Sequence, residues 1–317
     1  MRRIFDDIAF VPSRITLENL STLEGSGARL AERRVCEISE LVDAVVEFSK
    51  ELYSTGMGIY EILSLTAEGL TDIATPPIQS ELSIASAHSD FISSFDRAEL
   101  STLYVDRLRA SKIDVSPLDL LPSTERGGRI VYVKNALADE AYDVFTADID
   151  NATVSYVSSF KEAADAVAEG EASYCLLPLE ERGGSRLLPV CDLIFRRDLR
   201  ICAITPVFGF DGNADMKYAL LSSGYSVPEL SQDDDGYLEV RIRADEGTAL
   251  SELITVASYY GVSVYRINTQ TFDTEESYET YHDIVFRSSG VDFTPLLVYL
   301  TLFHSAYVPI GMYKNLE

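Results

Sequence analysis

The stretch Pro178-Leu-Glu-Glu-Arg-Gly-Gly places two carboxylates and a guanidinium directly after the apolar run "SYCLLP". A strand that stops at such a cluster sets it on the rim of a sheet, where ligands bind in open α/β folds. Glu180, Glu181 and Arg182 therefore have two readings. They form a ligand rim, or they form a solvated strand-end turn whose local ion pair contributes little.

Other chemistry-bearing residues are dispersed. The cysteines are Cys36, Cys175, Cys191 and Cys202, and no pair has the close spacing of a zinc or redox site. Cys175 and Cys202 lie in apolar runs, which points to packing. His88, His282 and His304 are far apart. Neither a metal nor a cofactor is expected. The net charge is −25, from 26 Lys and Arg against 51 Asp and Glu. Phosphate contacts need clustered cations, so nucleic acid and anionic lipid are not expected partners. No apolar run approaches the ~18–20 residues of a membrane span. The N-terminus, "MRRIFDDIAFVPSR", lacks the apolar core of a signal peptide. These features together suit a soluble cytoplasmic protein.

Three regions must position these residues. Up to about residue 122 the spacing predicts helices, as in Ile38, Leu41, Val42, Val45 and Leu52, and again in Ile59, Ile62, Leu63, Leu70 and Ile73. Pro76 and Pro77 interrupt them. Beyond Gly128, strand and helix alternate over "RIVYVK", "LADEAYDVFTA", "TVSYVSS", "SFKEAADAVAEG" and "SYCLLP", which predicts a parallel sheet with helical crossovers. "VPELSQDDDG" is an acidic linker. From Tyr237 the order is β-α-β-β-α-β, the ferredoxin-like arrangement. In its first strand, apolar Leu238, Val240 and Ile242 alternate with Glu239, Arg241 and Arg243, so one buried and one wetter face are expected.

The middle of the chain resembles the prephenate dehydratases. Ser159, Phe160, Ala166, Val167, Gly170, Pro178 and Glu180 match that family's pattern in order, and Asp192 stands at its aspartate, twelve residues after the glutamate. The C-terminal region resembles the ACT regulatory domain that follows in the same enzymes. The family's Pro-Gly-Ala-Leu turn falls on Gly247, Thr248, Ala249 and Leu250, and its Glu-Ser-Arg-Pro motif on Asn268, Thr269, Gln270 and Thr271. The resemblance implies a helical domain over 1–122, one α/β lobe of the periplasmic-binding-protein type over 128–226, and a ferredoxin-like ACT domain over 236–317.

The functional letters depart from the family. Its glycine-rich substrate loop falls near Lys134–Ala138, which has no glycine or hydroxyl. Its Thr-Arg-Phe motif aligns with Met216, Lys217 and Tyr218, and methionine has no hydroxyl to donate. Its asparagine after the glutamate is Glu181, a like charge facing a dianionic substrate. Only Asp211–Asp215 separates two strands where the family inserts a second lobe, too little for a folded unit.

The catalytic remnants implied are Lys134, Glu180, Glu181, Arg182 and Lys217. Asp192 is expected to cap a turn or helix. An aromatic amino acid would bind at Asp245, Gly247, Thr248, Ala249, Leu250, Thr269 and Gln270, at the interface of a homodimer. Three functions follow from the resemblance: a non-catalytic, regulatory or ligand-sensing relative in phenylalanine metabolism; an active dehydratase with a rearranged site, a carbon-oxygen lyase; or a dimeric scaffold. Some dehydratases carry a helical chorismate mutase, which needs cations in a helical pocket. Arg29, Arg33 and Arg34, and Arg107, Arg109 and Lys112, form two basic clusters, but the mutase pattern does not map onto them.

Overall fold

The computed structural model describes residues 23–74, 94–121, 123, 128–147, 149, 151–208, 214–231, 234–244, 250–273, 278–290, 292–304 and 306–316. In chain order the elements are α1 (Leu23–Ser54), α2 (Ile59–Ala74), α3 (Ser94–Ala110), α4 (Pro117–Leu120), β1 (Arg129–Tyr132), α5 (Ala136–Thr146), β2 (Thr153–Tyr156), α6 (Phe160–Ala168), β3 (Tyr174–Glu181) and α7 (Leu188–Arg196). There follow β4 (Arg200–Phe208), β5 (Ala214–Ser222), β6 (Asp235–Arg243), α8 (Leu250–Tyr259), β7 (Ser263–Asp273), β8 (Tyr278–Ser289), α9 (Thr294–Phe303) and β9 (Val308–Lys314).

Contacts divide the chain into two compact units, and the division cuts across 236–317. One unit holds residues 1–120 together with α8 and α9; the other holds 121–247, 261–293 and 306–317. The first unit is helical. Ile38, Leu41, Val42 and Val45 of α1, and Ile59, Ile62, Leu63 and Leu70 of α2, are buried as their spacing predicts. Apolar around its whole circumference, α9 buries every residue from Leu296 to Leu300 and packs against α2 and α3. Arg107 donates to Asp43 and Ser39 of α1, and Arg109 pairs with Asp114 at 3.8 Å, so these two cations hold helices and turns together. The side chains of Arg29, Arg33, Arg34 and Cys36, and residues Pro76, Pro77 and His88, lie outside the described residues.

The second unit contains two sheets. The first has the order β2-β1-β3-β5-β4. β1 is parallel to β2 and β3, but β5 is antiparallel to both β3 and β4. The sheet is mixed where a parallel one was expected. The reason is the connection after Phe208. A parallel neighbour needs a crossover of about a dozen residues or more, and the five between β4 and β5 allow only an antiparallel return. The second sheet has the order β7-β8-β6-β9 and is wholly antiparallel.

The sheets meet where β9 runs beside β4. The Leu316 amide donates to the Ile204 carbonyl at 2.8 Å, and Thr205 Oγ1 donates to the Leu316 carbonyl at 2.9 Å. Ile201 and Ile204 of the first sheet share one apolar core with Tyr237, Val285, Ile310 and Tyr313 of the second.

Several letters of the family pattern prove to be folding residues. Ser159 caps α6 by accepting from the Glu162 amide, and the Glu162 carboxylate accepts from the Ser158 amide and hydroxyl, satisfying donors at the helix start. Gly170, at φ +75°, stands just beyond the other end of α6, where a left-handed residue is needed. Val167 fills the core.

Candidate functional site

Pro178 lies in β3, and the pairing of β3 with β5 slips after it: Pro178 faces Tyr218, then Glu180 faces Lys217, with Leu179 as the extra residue. A bulge of this kind tolerates proline and re-aims the next side chain. Here it brings Glu180 onto Lys217. The strand then continues through Glu181 and turns back at Gly183 (φ +99°) and Gly184 (φ +86°). Left-handed angles at two successive positions favour glycine. The Glu181 amide bonds the Ser185 carbonyl at 2.9 Å, and Glu180 and Arg186 become bridge partners. The two glycines thus exist to fold Arg186 back onto Glu180.

Glu180 is only 3% exposed, which excludes the solvated turn. Its carboxylate meets three cations. Arg186 Nε is 3.2 Å from Oε1, Lys217 Nζ is 3.3 Å from Oε2, and Arg266 from β7 donates to both oxygens, Nη2 at 3.3 Å. Burial alone would raise the pKa of this carboxyl. Arg186, Arg266 and Lys217 outweigh it and hold the group below the usual carboxylate range. Glu180 pairs with Arg186, the cation just beyond the Gly183-Gly184 turn. Glu181 and Arg182 are exposed.

The network continues inward. Arg186 Nη2 bonds Glu239 Oε2 at 2.8 Å, and the buried Tyr313 hydroxyl donates to the same oxygen at 2.9 Å. Beyond it, Arg241 makes a paired contact with Asp283 at 2.6 and 2.7 Å. The Arg241 guanidinium carbon lies 4.8–5.9 Å from the centroids of Phe272, Phe195 and Tyr281. Both faces of β6 are therefore buried, not one. The polar face was expected to be wet, but Glu239 and Arg241 are 3% and 4% exposed, and each is sheltered by an oppositely charged partner.

The remaining sequence-predicted residues do not join Glu180. Lys134 is exposed, with Nζ 4.6 Å from the centroid of Tyr156. Its neighbour Asn135 caps α5 by accepting from the Ala138 amide at 2.9 Å, and the buried Tyr218 hydroxyl lies 3.4 Å from the same oxygen. Asp192 is not a cap. It lies inside α7 and bonds Arg196, one turn on, through both carboxylate oxygens at 2.9 Å. Thr269 bonds His282 Nδ1 at 2.9 Å, and Gln270 is buried against Asp283 at 3.5 Å. Leu250 opens α8, while Asp245, Gly247, Thr248 and Ala249 lie outside the described residues. Among the described residues no cluster of His, Cys, Asp and Glu could hold a metal ion, and no helix is long and apolar enough to cross a membrane.

Sequence reasoning missed Arg186, Glu239, Arg266 and Tyr313. Only Arg186 left a legible signal, a cation just beyond a Gly-Gly turn from Glu180. The others come from strands of the second sheet, and no local spacing reports that packing.

Comparison with solved structures returns prephenate dehydratases at low identity. The enzyme from Streptococcus mutans is 16% identical with a TM-score of 0.46, over 60% of this chain and 99% of that one. The enzyme from Arthrobacter aurescens, solved with L-Phe, is 14% identical with a TM-score of 0.44, over 59% and 90%. GqqA, described as a novel type of quorum quenching acylase, is 16% identical with a TM-score of 0.43, over 59% and 94%. No family model matches the chain. No curated protein matches it in sequence.

Proposed function

We propose that this chain is a prephenate dehydratase-like protein of aromatic amino-acid metabolism that has lost catalysis and acts as a regulator or ligand sensor. The observation that carries this reading is the state of Glu180. It stands at the family's glutamate, yet it is buried and engaged by Arg186, Lys217 and Arg266.

Prephenate is a dianion, and its conversion to phenylpyruvate expels carbon dioxide and water. A catalyst needs cations free to take the substrate carboxylates and an acid near the leaving hydroxyl. Lys217, at the position of the family's arginine, already neutralises Glu180. Freeing these cations would leave the Glu180 carboxylate buried and uncompensated, which is costly. Exposed Glu181 adds repulsion. Incubating the full chain with prephenate should yield no phenylpyruvate above the uncatalysed rate. Turnover that disappears in Glu180→Gln or Lys134→Ala would overturn the reading.

The ACT-like reading of 236–317 is supported by the element order β6-α8-β7-β8-α9-β9 and its antiparallel sheet. It brings two further proposals: an aromatic amino acid binds near Gly247–Leu250, and the protein is a homodimer. β7 ends its sheet as an eleven-residue edge strand, a hazard that symmetric pairing relieves. Light scattering at micromolar concentration should give twice the 35.1 kDa chain mass. Calorimetry of the full chain with phenylalanine should show saturable binding, and its absence would favour a scaffold.

A further inference from the structure

Helix α8 buries one face and leaves the other open. Leu253, Val256 and Ala257 are buried, Glu252 pairs with Arg97 of α3 at 3.5 Å, and the Tyr260 hydroxyl donates to the Ala98 carbonyl at 3.0 Å. The exposed residues are Ser251, Ile254, Thr255, Ser258 and Tyr259. Their spacing of i, i+3, i+4, i+7 and i+8 makes a single stripe along the helix. The solvent face of a surface helix ordinarily carries charge. This stripe carries none. Every other described helix that has exposed residues shows at least one charged side chain among them, such as Glu40 and Glu47 on α1, Glu61 and Glu68 on α2, and Asp106 and Arg109 on α3.

Two of the five residues are large and apolar: Ile254 is 45% exposed and Tyr259 38%. The other three are small, and Thr255 Oγ1 already donates to the Ser251 carbonyl one turn back at 2.8 Å. Small side chains between large ones let a second helix approach to the ~8–10 Å of packed helices. Depletion of charge beside an aromatic residue marks the core of an interface. Charge also selects the occupant. Two copies of a chain with net charge −25 repel each other, least where neither presents a charge. A second copy brings the same uncharged stripe and buries no unpaired charge on either side. A basic partner would be drawn instead to the exposed Glu40, Glu47 and Glu51 of α1.

We infer that the exposed stripe of α8 is a contact between two copies of this chain, packed helix against helix about a two-fold axis near Thr255. Thr255 is the middle of the stripe, so an isologous pairing there sets Ile254 beside its own counterpart. The ten residues of α8 span only about 15 Å, and a stable interface buries roughly 800 Å² on each partner. The stripe is therefore the centre of the contact, and the surrounding polar surface is its rim. The inference rests on the homodimer reading and gives that dimer a helical surface in addition to the β7 edge.

Sedimentation of the full chain over a dilution series tests it. Wild type should be a dimer at micromolar concentration. Ile254→Glu sets like charges against each other at the axis and should raise the dimer dissociation constant by about tenfold or more. Ile254→Met should leave it unchanged. An equimolar mixture of Ile254→Glu and Ile254→Lys should dimerise more tightly than either variant alone, because opposite charges then meet across the axis. A fold merely damaged by the substitutions would not recover on mixing. Should Ile254→Glu fail to fold, Ser258→Glu on the same exposed stripe makes the same test. A wild-type dimer that Ile254→Glu and Ser258→Glu leave intact would overturn the α8 contact while keeping the homodimer, held elsewhere. A mixture no tighter than its components would overturn the two-fold pairing. A wild-type monomer would overturn the homodimer itself, and this contact with it.

Discussion

Arg266 of β7 grips both carboxylate oxygens of Glu180 of β3, across 86 residues of sequence. The contact ties a strand of one sheet to a strand of the other, with Arg186 closing the carboxylate from a third direction. Buried ion pairs add little net stability when complete, because desolvation offsets their attraction, but breaking one strands a charge. Glu180→Ala should therefore cost about 3–5 kcal/mol by urea unfolding. A loss below about 1 kcal/mol would mean that the carboxylate behaves as a surface group. Because the carboxyl titrates below its usual range when folded, its contribution is complete above about pH 4.5 and disappears as the pH falls through the folded value.

The helices and strands of this protein were largely legible because their signals are local. The apolar spacing of α1 and α2, Ser159 and Gly170 at the ends of α6, and the turn glycines after Glu181 all act within a few residues. The site was legible only by half. Glu180 and Lys217 stood out through the family pattern, and a bulge at Pro178 makes them partners. Arg266 and Glu239 carried no such mark, since an alternating polar position reads as solvent-facing until a second sheet covers it. The antiparallel course of β5 was itself legible in the short connection after β4, because a parallel neighbour needs a crossover of about a dozen residues or more.

The junction between the sheets depends on Gly311. A Cβ at this position would fall inside the contact distance of the Ile201 carbonyl oxygen, a backbone atom that cannot turn aside. Gly311→Ala should force β9 away from β4 and cost about 1–3 kcal/mol or more, as overpacking does. Hydrogen exchange offers a specific readout. The Leu316 amide, bonded to Ile204 across the junction, should lose protection, while amides in α1 and α2 should keep theirs. Uniform loss throughout would mean global destabilisation with no particular role for the junction.

Salt should stabilise this protein. A net charge of −25 acts against the compact state through self-repulsion. Screening shortens from about 10 Å at 0.1 M to about 3 Å at 1 M, so added sodium chloride weakens that repulsion first. The Glu180 and Arg241 ion pairs are buried and should be nearly insensitive to it. The unfolding temperature should rise with salt at pH 7, by roughly 2–4 °C for each kcal/mol of repulsion relieved. A fall would show that exposed attractive pairs such as Arg287–Asp235 dominate the surface.

Acidification should unfold the helical unit before it affects Glu180. His304 sits at the end of α9, with Nε2 3.4 Å from the Tyr299 hydroxyl. That hydroxyl donates to Glu252 Oε1 at 2.8 Å, and Arg97 pairs with the same oxygen at 3.5 Å. Burial disfavours the imidazolium and outweighs the attraction of Glu252, so the ring titrates at about 4 in place of its ordinary 6.5. The unfolded chain therefore takes up a proton at His304 before the folded one does. Stability from this residue is complete above about pH 6.5 and is lost as the pH falls towards 4, by about 3 kcal/mol over the whole window. Replacing the ring with a neutral side chain, His304→Gln, should flatten the stability profile between pH 4 and 6.5 and leave the steeper loss below pH 4.5, where Glu180 titrates. Urea unfolding of both proteins across this range distinguishes the two groups. Identical profiles would show that His304 does not carry the pH dependence.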